Sequence, residues 1–101
     1  MMDKKMLKQA QQLQAQMLKA QDELNDATVE ASSGGGAVTV VVTGQQEVKS
    51  VKISPEVVDP EDVELLEDMI LAALTEAMEK AKDLAAKKMG ALTGGLKIPG
   101  L

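Results

Sequence analysis

The sequence predicts an α+β fold of order α-β-β-β-α, with a three-stranded antiparallel sheet and two long projecting helices. Three patterns predict it. Residues 3–27 repeat apolar side chains at heptad spacing, residues 28–54 are rich in β-branched residues and broken by two turn signals, and residues 60–89 return to helical spacing after an Asp-Pro start.

Each element has its own signature. Asp3 is placed to cap the first helix, and Met6, Ala10, Leu13, Met17, Ala20, Leu24 and Ala27 follow a 4-3-4-3 spacing along one side. Gln, Lys and Asp fill most of the other positions, which is the pattern of a solvated face. Val29-Glu30-Ala31 alternates as a short first strand, and Gly34-Gly35-Gly36 reads as a turn. Ala37 to Thr43 is β-branched and reads as the central strand. After a second turn at Gly44-Gln45-Gln46, the apolar parity switches between Val48 and Val51, which predicts a bulge near Lys49-Ser50. Asp59 and Pro60 are expected as N-cap and first residue of the second helix. Its apolar stripe is Val63, Leu66, Met69, Ile70, Ala73, Leu74, Ala77, Ala81 and Leu84, and Gly90 is expected to stop it. Residues 1–89 thus form one domain, and 90–101 are expected to be a flexible C-terminal tail.

Composition narrows the function. The 101 residues contain no Phe, Tyr or Trp, so the core rests on Leu, Ile, Val, Met and Ala. A small core of light residues, beneath a sheet with open edges, predicts that the chain gains burial by pairing with a second copy. There is no Cys, hence no disulfide and no thiol nucleophile, and no His, the commonest general base and metal ligand. No apolar run approaches the roughly 18 to 20 residues that span a bilayer, and the start lacks the apolar core of a signal peptide. The expectation is a cytoplasmic protein that is not an enzyme, with no cofactor, metal, membrane or small-molecule substrate.

Other groupings have plain structural readings. A phosphate cradle built on Gly34-Gly35-Gly36 would need a helix after it, and a strand follows. The carboxylates from Glu56 to Asp68 lack the spacing of a calcium loop. They read as negative charge at a helix N-terminus. Met6, Met17, Met69 and Met78 fall on or beside the apolar stripes, as core residues do.

The lysines carry more information. Net charge is −5, which by itself argues against nucleic acid, but the charge is unevenly spread. Lys4, Lys5, Lys8 and Lys19 occupy the first two-thirds of helix one, with Asp22, Glu23 and Asp26 at its end. Residues 56–79 hold nine acids and no base, whereas Lys80, Lys82, Lys87, Lys88 and Lys97 follow against Asp83 alone. Were the two helices to run side by side, both acidic ends would lie at the sheet and both basic ends at a far tip. Such a tip would bind DNA phosphates by releasing counterions. Charge alone leaves this even with a solvated face matched to the helix dipole.

Four stretches resemble the YbaB/EbfC family of small bacterial nucleoid-associated proteins. They are Lys8-Gln9-Ala10-Gln11-Gln12-Leu13-Gln14; Gly44 through Val48, Val51, Ile53 and Pro55; Leu66-Glu67-Asp68-Met69-Ile70 with Ala72, Ala73, Ala77 and Ala81; and Gly95-Leu96-Lys97-Ile98-Pro99-Gly100. Together they span essentially the whole chain. The resemblance implies a homodimer joined at the sheets, helical arms projecting like tweezers, and DNA binding that alters DNA conformation in nucleoid organisation or gene regulation. Family members often carry Arg in these helices, and this chain has none; Thr75 stands where Asn is expected. Lys reproduces bidentate guanine contacts poorly, so backbone binding is expected and sequence-specific reading is not.

The expected function is binding of double-stranded DNA by a homodimer through Lys4, Lys5, Lys8, Lys80, Lys82, Lys87 and Lys88. A different class competes: a prefoldin-like holdase or coiled-coil interaction module, for which Met6 and Met89 near the tips would suit apolar clients.

Overall fold

The computed structural model of the chain describes residues 3–93, with only the backbone at Thr93. Its elements are α1 (Lys4–Asp26), β1 (Thr28–Ser33), β2 (Val38–Thr43), β3 (Val48–Ile53) and α2 (Val63–Thr93). The strands form an antiparallel sheet in the order β1-β2-β3, so the α-β-β-β-α fold is as predicted. The molecule is drawn out, 69 × 26 × 19 Å.

Local chemistry accounts for most boundaries. The Asp3 carboxylate accepts from the Met6 amide at 2.8 Å, and Ala27 leaves the helix in an extended conformation. Gly34, Gly35 and Gly36 turn β1 into β2 at φ of 62°, 69° and 94°, a run that side-chain-bearing residues rarely adopt. Val41 pairs with Ser50 and Val42 with Val48, so Lys49 is the extra residue of a bulge. That bulge turns Val48, Val51 and Ile53 to the face shared by Val38, Val40 and Val42.

Both expected limits of the second helix need correction. Helix α2 begins at Val63, not at Pro60. Asp59 instead starts a turn: its carboxylate accepts from the Glu61 amide at 2.9 Å and its carbonyl from the Asp62 amide at 2.9 Å. Asp62 is the cap, accepting from the Leu65 amide at 3.3 Å. At the other end the helix runs through Gly90 to Thr93. A glycine stop needs a left-handed backbone, and Gly90 is not among the positive-φ glycines. Packing of this last turn beside α1 outweighs the roughly 1 kcal/mol that a helical glycine costs. The expected tail therefore loses residues 90–93 to the helix, and 94–101 lie outside the described residues.

The core lies between α2 and the sheet. Ala73, Ala77 and Ala81 repeat every four residues, and all three are fully buried in one cluster with Val38, Val40, Val42 and Ala31. These small side chains let the helix backbone approach the β-branched strands closely. Three side chains tie the helix down at main-chain carbonyls: the Ser33 hydroxyl donates to Met69 (2.6 Å), Gln46 Nε2 to Met78 (3.4 Å) and Lys80 Nζ to Glu30 (2.9 Å). Helix α2 packs on β1 and β2. On β3, Val48 and Val51 stay 46% and 45% exposed.

Candidate nucleic-acid interface

The relative placement of the helices follows from three anchors on α2. Met78 meets the β2–β3 turn through Gln46, Lys88 forms an ion pair with Glu23, and Leu92 shares a cleft with Gln16. Thus α2 crosses the sheet, leaves it and runs antiparallel along the last third of α1. There it buries Ala20 and Leu24, the end of the heptad stripe. Leu13 and Ala27 are half-buried, while Met6 is 54% exposed and Met17 39%, with Leu7 and Leu18 exposed beside them. The part of α1 ahead of Gln16 therefore overhangs the described end of α2, a free arm of roughly 18 Å.

This geometry distributes the seven predicted lysines instead of gathering them at one tip. Lys4, Lys5 and Lys8 are exposed on the free arm, and their ammonium groups have no hydrogen-bond or ion-pair partner among the described residues. Lys87 is exposed where α2 runs beside α1. Lys82 lines a shallow groove with Gln46, Leu74 and Met78, on the β3 side of α2. Lys80 lies over the sheet, bonded to the Glu30 carbonyl and 4.0 Å from Glu76. Lys88 is half-buried against Glu23. Met89, expected near a tip, is half-buried beside α1 as well. The helices overlap at their C-terminal ends and not along their lengths, and this pulls the α2 lysines back from the tip.

The long axis nevertheless separates charge. The nine acids of residues 56–79 begin at the end of the sheet remote from α1, and the free-arm lysines lie at the opposite end. No three of the described carboxylates converge to hold a metal ion. No described helix is long and apolar enough to cross a membrane.

One group of residues was not among the predicted contacts. Lys19, Glu23 and Lys88 line a cleft of about 430 Å³ between α1 and the end of α2. The Glu23 carboxyl is held below its ordinary pKa by the hydrogen bond and the charge of Lys88, opposed by desolvation, with Lys19 the smallest contributor. The i,i+4 spacing of Lys19 and Glu23 was the one visible signal; the partner from α2 depends on the tertiary path.

Comparisons with known proteins agree with this architecture. The profile of the YbaB/EbfC DNA-binding family matches residues 1–96. A nucleoid-associated protein of Pelotomaculum thermopropionicum is 58% identical over 97 residues, covering 96% of this chain and 92% of that one. Another, from Alkaliphilus metalliredigens, is 56% identical over 96 residues, covering 95% and 84%. The crystal structure of an uncharacterized Helicobacter pylori protein superposes with a TM-score of 0.72 at 23% identity, over 89% of this chain and all of that one.

Proposed function

Since the chain belongs to the YbaB/EbfC DNA-binding family, we propose that it binds duplex DNA mainly through backbone phosphates, as a homodimer, without catalysing a reaction. The observation that carries this reading is the free arm. It is a solvated helix with three lysines that have no partner among the described residues, held away from the acids of residues 56–79 that would repel phosphate. The absence of Arg keeps discrimination between sequences small, and the absence of aromatic side chains removes the usual platforms for single strands. Binding along a projecting arm would bend or bridge DNA. That suits a cytoplasmic role at the nucleoid, in its organisation or in gene regulation, as the names of the relatives suggest.

The dimer reading rests on the apolar surface beside β3. Val48 and Val51 are half exposed on the face that α2 only partly covers, Leu71 of α2 is 63% exposed, and β3 is an edge strand. A second copy seated there would cover all three. Sedimentation at micromolar concentration should give twice the 10.7 kDa chain mass; a folded monomer would refute this.

DNA binding is tested by gel-shift titration of unrelated duplexes at several salt concentrations. A Lys4→Gln, Lys5→Gln, Lys8→Gln variant should weaken binding and reduce the log–log salt slope by about one unit for each phosphate that is no longer neutralised. A Lys49→Gln, Lys52→Gln control on β3 should change little. If the control loses binding and the arm variant keeps it, the sheet and not the arm is the DNA surface. The exposed Met6, Leu7, Met17 and Leu18 favour a second reading, capture of apolar polypeptide by the arm. Such binding would persist at salt concentrations that release DNA.

A further inference from the structure

We infer that the cleft between α1 and the end of α2 is a phosphate subsite for duplex DNA, in which Glu23 occupies the place of a backbone phosphate on Lys88, with Lys19 lining the same cleft. This rests on the DNA-binding reading above and adds to it a self-limiting contact.

The residues come from different elements and meet only because α2 runs back along α1. Lys88 is half-buried at the cleft and paired with Glu23, whose carboxylate also feels the charge of Lys19 one turn earlier on α1. The cleft is therefore lined by two cations, one of which, Lys88, already holds an anionic group on a short tether. A carboxylate and a phosphate oxygen make the same charge-assisted contact with an ammonium. For a DNA phosphate to take Lys88, the Glu23 carboxylate must be displaced and would then lie beside the phosphate as a like charge. Lys4, Lys5 and Lys8 carry no such counter-charge among the described residues, so the arm engages DNA first and the cleft restrains the grip. A surface ion pair of this kind contributes little to folding, so Glu23 is more consequential as a competitor than as a strut.

The magnitude follows from counterion release. One additional phosphate neutralised on B-DNA changes the log–log salt slope by about 0.9, which at 0.1 M salt corresponds to roughly eightfold in affinity. The experiment compares the parent chain with Glu23→Gln, Lys88→Gln, the double variant and an Asp22→Gln control, by gel shift on one duplex across a salt series. Asp22 is an exposed neighbour of Glu23 and does not line the cleft, so it reports general charge alone.

Glu23→Gln should bind about eightfold more tightly at 0.1 M salt with a slope steeper by about 0.9, and the gain should vanish in the Lys88→Gln background. Asp22→Gln should gain much less. Circular dichroism and sedimentation on each variant check that fold and assembly are retained. An unchanged or weaker Glu23→Gln complex overturns the inference, as does an equal gain from Asp22→Gln or a gain that survives loss of Lys88. If the parent chain binds no DNA even at low salt, the DNA reading itself fails; if it binds and Glu23→Gln gains nothing, this inference alone fails.

Discussion

Gly44 joins the sheet to the root of the arm, and a single methyl group there tests that junction. Its amide donates to the carbonyls of Leu24 (2.9 Å) and Ala27 (3.0 Å), drawing the β2–β3 turn tightly onto the end of α1. A Cβ built on Gly44 would lie 2.7 Å from Leu24 Cδ2 and 2.9 Å from the Leu24 carbonyl oxygen. The side-chain carbon can rotate away; the carbonyl cannot, because it accepts the Gly44 hydrogen bond. Gly44→Ala must therefore push helix and turn apart, an overpacking cost of about 1–3 kcal/mol. The backbone of Gly44 is not left-handed, so alanine also narrows the unfolded ensemble, returning about 0.4–1 kcal/mol. The net expectation is a loss of about 1–2 kcal/mol. For a domain this size that is a fall of roughly 5–15 °C in Tm, measured by thermal and urea denaturation at one fixed protein concentration. A Gly44→Ala variant that melts at or above the parent temperature would refute the close approach of α1 to the turn.

Three other measurements probe separate features. Gly90→Ala should stabilise the chain by about 0.5–1 kcal/mol in the same denaturation experiment, because Gly90 is helical and a Cβ there meets nothing within 4 Å; destabilisation would mean the helix ends at this glycine after all. Thr43→Val should cost about 1–3 kcal/mol, since the fully buried Thr43 hydroxyl accepts from the amides of Gln45 (3.2 Å) and Glu47 (3.1 Å) and valine leaves both unanswered; equal stability would show that water replaces it. In an NMR titration, Lys88→Gln should raise the Glu23 midpoint, because Lys88 is what lowers it. The ion pair is accordingly whole above the ordinary glutamate range and lost only as pH falls through the lowered midpoint, and a midpoint indifferent to Lys88 would show that the pair does not form in solution.

Much of the fold is legible in local chemistry, and the exceptions share a cause. The Asp3 cap, the glycine turn and the bulge at Lys49 are decided by a few adjacent residues, so side-chain type and parity suffice to find them. Asp59 and Asp62 are both plausible caps by type. Which one acts depends on the turn that Asp59 closes on itself, a competition the Asp-Pro signal hides. Gly90 fails as a stop because Lys88 and Leu92 on either side of it meet α1, and that neighbour is invisible in the local pattern. The charge polarity of each helix is equally readable. The position of the α2 lysines is not, because it depends on where the Ala73–Ala77–Ala81 ridge settles on β1 and β2. Sliding that ridge by one helical turn would move Lys88 by about 5 Å along α1. The Glu23–Lys88 pair is thus a product of sheet packing, although neither residue touches the sheet core.

The free arm also has a folding consequence. Ahead of Gln16 the arm shares no cleft with α2 among the described residues, so its helical order rests mainly on intrinsic propensity and the Asp3 cap. The Gln, Ala, Leu, Lys and Met that fill it are strong helix formers, but a segment this short is barely self-sustaining in water. Lys4 and Lys5 oppose the positive end of the helix dipole, and Lys4 repels Lys8 one turn on. Amide hydrogens there should exchange many times faster than those at Ala77, fraying from Asp3 inward. Anions seated on these lysines would remove both penalties at once, so neutralising them would steady the outer turns of the helix.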